Sequence, residues 1–228
     1  MDAKFIKVFA EAGLLDGLLG YWKLDETSGN AVDSSGNGYT GTSSNITYTA
    51  SGKIGRCYTF NGSTSNINFG DVISPATGIT LTAWVKTTSL PASEGAIIYK
   101  ASYATNWCGY RLTVYSTGTV GFFLGDNTGN YLDITFGTTV LNGNWHFIGG
   151  TWDGTNAYIY LDDTRRTVTS WTGPIAYTSV NLYSGYNGSS MLYQGDIDEA
   201  GIWNKALTQD NMLLLFDSGN GKTHPFSG

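Results

Sequence analysis

The sequence predicts an all-β protein: an antiparallel β-sandwich with a short N-terminal arm or helix and a short C-terminal helix. Three observations carry this. The chain of 228 residues holds 17 Asn, 20 Ser, 29 Thr and 31 Gly but only four Glu and eight Lys, so helix formers are scarce. Its abundant Thr, Tyr, Phe and Trp suit a pleated, half-buried surface. Short runs of alternating polarity are separated by Gly, Asn, Asp and Ser at the spacing of a sandwich or barrel. A helical bundle, a coiled coil and a parallel α/β fold do not fit this pattern. Aromatic residues at 14% argue against disorder.

The elements follow in order. Residues 1–19 carry Phe5, Ile6, Phe9, Leu14, Leu15, Leu18 and Leu19 at partly helical spacing, interrupted by Gly13 and Gly17. They read as a short helix or an extended arm that docks on the domain or on a neighbouring subunit. In ITLTAWVKT, Ile79, Leu81, Ala83 and Val85 share one face, with Thr80, Thr82, Trp84 and Lys86 on the other. RLTVYSTGTVGFFLGD, from Arg111 to Asp126, reads as two strands around a Ser116-Thr117-Gly118 turn. NWHFIGGTWDGTNAYIYLDD reads as a second hairpin, turning near Asp153 and Gly154. A period of 3.6 returns only in ALTQDNMLLLF, where Thr208 is placed to cap a helix ending near Phe216. The domain reading is therefore an arm over 1–19, a sandwich over 20–217 and a tail over 218–228.

Charge narrows the partners. Twelve basic residues against eighteen acidic ones give a net charge of -6, which does not supply the cation surplus that nucleic-acid phosphates require. The single basic doublet, Arg165-Arg166, reads as a turn. No apolar run is long enough to span a bilayer, so membrane insertion is not expected. Cys57 and Cys108 read as semi-buried thiols; two cysteines alone do not establish a disulfide. Asp2, Lys7 and Glu11 interrupt the N-terminal segment, which does not read as a secretory signal.

Five strings in sequence carry a family resemblance: GLLGYWKLDETSGNAVDSSGNGYTGT (17–42), SGKIGRCYTFNGSTSNINFG (51–70), ITLTAWVKT (79–87), NWHFIGGTWDGTNAYIYLDD (144–163) and GDIDEAGIWNKALTQDNMLLLF (195–216). Together they resemble the laminin-G-like jelly-roll domains of the concanavalin A-like lectin/glucanase superfamily, across nearly all of residues 18–217. The resemblance implies two antiparallel sheets packed face to face. It leaves function open, because the same sandwich hosts lectins, adhesion modules, enzymes and spacers.

The resemblance also implies a structural Ca²⁺ where the first strand, its following loop and the last strand meet. Asp25 in WKLDE and Asp198 in GDIDE match carboxylate positions, and Asn37 in DSSGNG lies in the loop that adds oxygens. The structural alternative is a polar loop closed by Asx-type hydrogen bonds. A glycosidase would need two carboxylates at fixed separation. In a regular strand Asp196 and Asp198 share a face and Glu199 points away; position 200 is Ala, and no Ser-His-Asp set appears. His146, between Trp145 and Phe147, reads as structural. The chain is therefore read as no enzyme.

Sugar binding uses aromatic faces with amide and carboxylate groups beside them. Loop segments offer Tyr103, Asn106, Trp107, Asn127, Tyr131, Trp171 and Tyr186. Trp22, Trp84, Trp145, Trp152 and Trp203 fall in the family strings and read as packing residues. The functional expectation is a non-enzymatic module for surface recognition or structural decoration, binding a glycan or cell-surface polysaccharide. An extracellular-looking composition without a visible signal fits a phage virion surface, with other virion or assembly proteins held through the N-terminal arm. The competing reading is a stand-alone carbohydrate-binding module of a secreted bacterial enzyme or adhesin.

Overall fold

The computed structural model describes residues 11–103, 106–137, 139–186 and 190–226, without the side chains of 167–169; residues 1–10 of the expected arm lie outside it. Two antiparallel sheets face each other. In the eight-stranded sheet the order is β13 (Thr164–Ser170), β12 (Asn156–Leu161), β11 (Trp145–Trp152), β6 (Ile79–Lys86), β15 (Gln194–Trp203), β4 (Cys57–Asn61) and β3 (Thr47–Thr49), with β1 (Leu18–Trp22) also paired to β15. The seven-stranded sheet runs β10 (Tyr131–Phe136), β9 (Val120–Asp126), β8 (Cys108–Tyr115), β7 (Glu94–Ser102), β14 (Leu182–Ser184), β5 (Asn66–Gly70) and β2 (Thr42–Ser44). Both expected hairpins form, β8–β9 and β11–β12.

Period-two alternation decides which side chains meet between the sheets. Ile79, Leu81, Ala83 and Val85 of β6 enter the central core with Leu112, Phe122, Leu124, Ile148, Ile159 and Ile202. Trp84, from the opposite face of β6, packs on the outside. The Gly149-Gly150 pair of β11 serves both layers. A Cβ on Gly150 would strike the Phe122 ring, and one on Gly149 would come within 2.6 Å of the Met212 methyl carbon.

The outer face of the eight-stranded sheet is covered. Leu14, in a helical turn over residues 11–15, packs there with Tyr21, Phe147, Trp203, Met212, Leu215 and Phe226. The Trp203 Nε1–H donates to the Leu14 carbonyl at 2.7 Å, and Lys222 Nζ pairs with Glu11 Oε1 at 2.8 Å. The C-terminal helix (Gln209–Phe216) supplies the lid, with Thr208 as its N-cap accepting from Asn211 N. Each buried side chain of this size is worth roughly 1.5–3 kcal/mol of transfer free energy.

Two readings are corrected by this packing. Trp171 lies in the central core, 5% exposed, with its ring 5.1 Å from that of Trp152 and its carbonyl accepting from Trp152 Nε1. A buried ring cannot stack on a sugar. Glu199 does not point away from Asp198. Its φ of 49° marks a bulge between Asp198 and Gly201, so both acids face the outer layer. Asp198 meets the Ile54 amide there, and Glu199 meets the Tyr21 hydroxyl.

His146 is a brace, with Nδ1 2.9 Å from Asp162 Oδ2 and Nε2 3.1 Å from Asn142 Oδ1. Both cysteines are buried free thiols, and burial pushes the Cys57 thiol up to about 12. No helix of the described residues is long and apolar enough to cross a membrane.

Candidate functional site

The outer face of the seven-stranded sheet carries side chains of a different kind. Register places Asp133 of β10 beside Phe123 of β9, Phe123 beside Arg111 of β8, Arg111 beside Tyr99 of β7, and Tyr99 beside Tyr183 of β14. Arg111 is the centre of this row and is only 4% exposed. Its Nη1 pairs with Glu94 Oε2 at 2.5 Å, and its Nη2 with Asp133 Oδ2 at 2.8 Å and the Tyr115 hydroxyl at 3.1 Å. The guanidinium lies 5.2 Å from the Phe123 ring centre and 5.3 Å from that of Tyr103. Burial pushes Glu94 and Asp133 above the usual carboxylate range, partly opposed by Arg111. Burial works against the Arg111 charge too, but the surrounding tyrosines and carboxylates outweigh it and hold the guanidinium ionised.

An aromatic stack stands on this row. Trp107 and Tyr131 lie almost parallel, with ring centres 4.3 Å apart and planes at 10°. Tyr103 meets Trp107 edge-on at 5.1 Å and Phe123 at 5.5 Å. Phe123 is buried beneath, whereas Trp107 is 38% and Tyr131 44% exposed. Four large apolar or aromatic side chains are exposed among the described residues: Leu15, Val32, Trp107 and Tyr131. The two aromatic ones are those that touch each other.

The backbone holds Trp107 in place at a cost. Trp107 adopts φ 50° and Asn127 φ 63°, in the left-handed region. That conformation is ordinary for Asn and costs a bulky residue roughly 1–2 kcal/mol. The two loops clasp each other: Asn127 N–H donates to the Trp107 carbonyl at 3.1 Å, and Gly129 N–H to the Asn106 carbonyl at 3.2 Å. A Cβ on Gly125 would collide with that Trp107 carbonyl, so this approach needs glycine.

Five of the seven residues expected to meet a sugar thus come together: Tyr103, Asn106, Trp107, Asn127 and Tyr131. Trp171 is in the core. Tyr186 is half-buried after β14, with β7 between β14 and the strand that follows Trp107, and its neighbours 187–189 lie outside the described residues. Arg111, Phe123, Asp133, Tyr99 and Tyr183 were not singled out from sequence. The alternation of RLTVY, with Arg111, Thr113 and Tyr115 opposite Leu112 and Val114, is the signal that marks this face.

A groove of about 300 Å³ adjoins the stack, lined by Tyr99, Ala101, Ser179, Val180, Asn181 and Tyr183. Tyr99 and Ala101 belong to the same apolar cluster as Phe123 and Tyr103. Lys100 turns the other way. Its buried Nζ pairs with Asp71 at 2.5 Å and donates to the Val180 carbonyl at 2.7 Å, which fixes one groove wall. A second depression, of about 430 Å³, lies on the other sheet where Lys86 faces Asp196 at 3.8 Å beside Thr59 and Gln194.

The expected calcium ligands divide. Asp25 and Asp198 reach one loop: Asp25 Oδ1 accepts from Arg56 N at 2.7 Å, and Asp198 Oδ2 from Ile54 N at 3.0 Å. Asn37 turns its Nδ2 to the Leu18 and Leu19 carbonyls, at 3.1 and 2.9 Å. Its loop is closed by Asp33, which accepts from Tyr21 N, Ser35 N, Ser35 Oγ and Tyr39 N. Asp198 fits a cation best. It is fully buried, its Oδ1 has no hydrogen-bond partner, and burial pushes it up to about 9. Glu199 beside it is pushed up to about 7 by the same burial. No cluster of three His, Cys, Asp or Glu able to hold a metal occurs among the described residues.

With this geometry in view, the relatives can be placed. The laminin-G-type-3 family model, of the concanavalin A-like lectin/glucanases superfamily, matches residues 61–212. The chain belongs to this family. No curated protein matches it in sequence. Among solved structures it is similar to domain 4 of AbnA, a GH43 extracellular arabinanase from Geobacillus stearothermophilus, in complex with arabinotriose. That match has a TM-score of 0.68 and 19% identity, covering 86% of this chain and 96% of that one. The binding domain of Paraclostridial Mosquitocidal Protein 1 gives a TM-score of 0.73 at 16% identity over 90% of this chain and 53% of that one. The binding domain of botulinum neurotoxin DC in complex with SialylT gives 0.68 at 15% identity, over 90% and 52%. The chain spans about half the length of these two toxin domains, and all three likenesses concern the fold.

Proposed function

We propose that this laminin-G-like protein is a non-catalytic glycan-binding module acting outside the cell. The observation that carries the reading is the exposed Trp107–Tyr131 pair on the face of the seven-stranded sheet that the described residues leave open. Both rings keep more than a third of their surface in solvent, and Trp107 is held there in a left-handed backbone. A sugar ring stacked on such a surface offers its C–H face to the π system, and its hydroxyls turn to polar neighbours. Asn106, Asn127 and Asp126 stand beside the stack, and Ser179, Asn181 and Tyr183 line the adjoining groove. Glu94 and Asp133, the carboxylates nearest the row, are both committed to Arg111, which suits a binding surface rather than an acid–base pair. The likeness to an arabinotriose-bound domain and to toxin binding domains supports the same reading.

The test is a glycan array on the full chain, followed by titration of the best ligand. Trp107→Ala and Tyr131→Ala should each weaken binding at least about ten-fold, as loss of a stacking ring does. Unchanged affinity in both variants, or no glycan bound at all, overturns the proposal.

Calcium belongs to the same proposal as a structural ion. Asp198 and Asp25 would hold it with oxygens of the 52–56 loop. The bound ion supplies positive charge to Asp198, which the fold otherwise buries with one oxygen unpartnered, while Asp25 reaches it from the exposed side. Melting in CaCl₂ and in EDTA tests this. The parent should melt higher with calcium, and Asp198→Asn should melt alike in both; equal melting of the parent removes the ion from the account.

A further inference from the structure

We infer that the aromatic site takes uncharged sugar residues and discriminates against acidic ones such as sialic or uronic acids. The inference rests on the glycan reading above and concerns the ligand class. A carboxylate-bearing sugar needs a cation with free N–H groups. Among the described residues the site holds one guanidinium: its two Nη groups are engaged, and its Nε has no hydrogen-bond partner but is buried out of a ligand's reach. Arg111 is buried, with Nη1 on Glu94 and Nη2 on Asp133 and the Tyr115 hydroxyl. The Met191 sulfur lies 4.0 Å from Nη1. Lys100, on the neighbouring strand, points away to Asp71 and the Val180 carbonyl. Arg166 reaches this sheet at the Thr135 carbonyl, 3.3 Å away. Thr135 is four residues along β10 from Tyr131, roughly 13 Å at strand rise.

The anions, in contrast, are close. Asp133 is two residues from Tyr131 on the same strand. Asp126 sits in the loop that clasps Trp107. Its slight burial is outweighed by hydrogen bonds from the Thr128 hydroxyl and amide and from Asn130, which hold its carboxyl below the usual range. Counting Glu94, Asp126 and Asp133 against Arg111 leaves the surroundings formally negative by two. An incoming carboxylate meets that field within one Debye length, and among the described residues no donor cation of the site faces it with a free Nη or Nζ group. Arg111 therefore acts as a scaffold that locks the row of rings and carboxylates in place, rather than as a ligand anchor.

The test uses the full chain on an array holding matched neutral and acidic glycans: asialo and sialylated forms, and methyl-esterified and free oligogalacturonates. The parent and Trp107→Ala are probed side by side. Binding confined to neutral members and lost in Trp107→Ala is the expected result, with at least about a ten-fold preference over the acidic partner. That preference should narrow as salt rises from about 0.01 M to about 1 M, because screening weakens the repulsion. Trp107-dependent binding that favours acidic members overturns the charge argument and leaves the glycan reading intact. Absence of Trp107-dependent binding in either class overturns the glycan reading, and this inference with it.

Discussion

The two outer faces of the sandwich are built from the same alternation and have opposite fates. On the eight-stranded sheet, Trp84, Phe147 and Trp203 are sealed beneath Leu14, the C-terminal helix and Phe226. On the seven-stranded sheet, Trp107 and Tyr131 remain in solvent around a buried guanidinium. Aromatic residues on an outer strand face therefore do not reveal by themselves whether they stabilise the fold or serve a ligand. What covers them decides it. The C-terminal helix, the turn over residues 11–15 and Phe226 reach one face, whereas among the described residues short segments near Ser179 and Met191 approach the other.

Breaking the covered face should have the largest effect. Trp203→Ala should cost roughly 3–5 kcal/mol by removing a fully buried ring and the hydrogen bond that holds Leu14. Chemical denaturation measures it, and a loss under about 1 kcal/mol would mean the cover contributes little. On the open face, Arg111→Ala should be almost as damaging, at roughly 3–5 kcal/mol, because Glu94 would be left buried without its cation and Asp133 would lose its partner. Its companion Arg111→Ala/Glu94→Gln should recover part of the loss; no recovery would show that the guanidinium acts through packing alone. Trp107→Ala, by contrast, should change stability by no more than about 1 kcal/mol while removing ligand affinity, which separates the two faces functionally.

The smaller effects concern pH. Asp198 is raised in the fold, so without calcium its neutral form favours the native state. That contribution is intact below the unfolded value near 4 and declines as pH rises towards about 9. In EDTA at pH 8, Asp198→Asn should therefore be more stable than the parent by about 1–3 kcal/mol. Equal stability there would show that Asp198 is not a strained buried acid. Asp33 has the opposite sign. Burial raises it, but hydrogen bonds from Tyr39, Ser35 and Tyr21 outweigh this and lower it. Its contribution is present above the unfolded value and is lost as pH falls through the folded one. Asp33→Asn should flatten the acid limb of the stability curve by about 1 kcal/mol, allowing for solvent screening at a half-buried loop.

The sequence by itself determined the architecture. Ile79, Leu81, Ala83 and Val85 alternate because a strand alternates, Thr208 caps because its hydroxyl meets an orphan amide, and neither depends on distant residues. It also placed Tyr103, Trp107, Asn127 and Tyr131 in polar loops, where an aromatic has no packing reason to be. Only the tertiary structure decided which of them meet. Trp171 looked equivalent to Trp107 in sequence, yet Trp152 draws it into the core while the clasped loops hold Trp107 out. Glu199 changed sides through a bulge, which regular alternation cannot announce. The pairing of Arg111 with Glu94 and Asp133 joins three strands, and so the charge of the site was illegible along the chain. Local backbone preferences are written residue by residue, whereas burial and electrostatic pairing are properties of surfaces that distant segments make together.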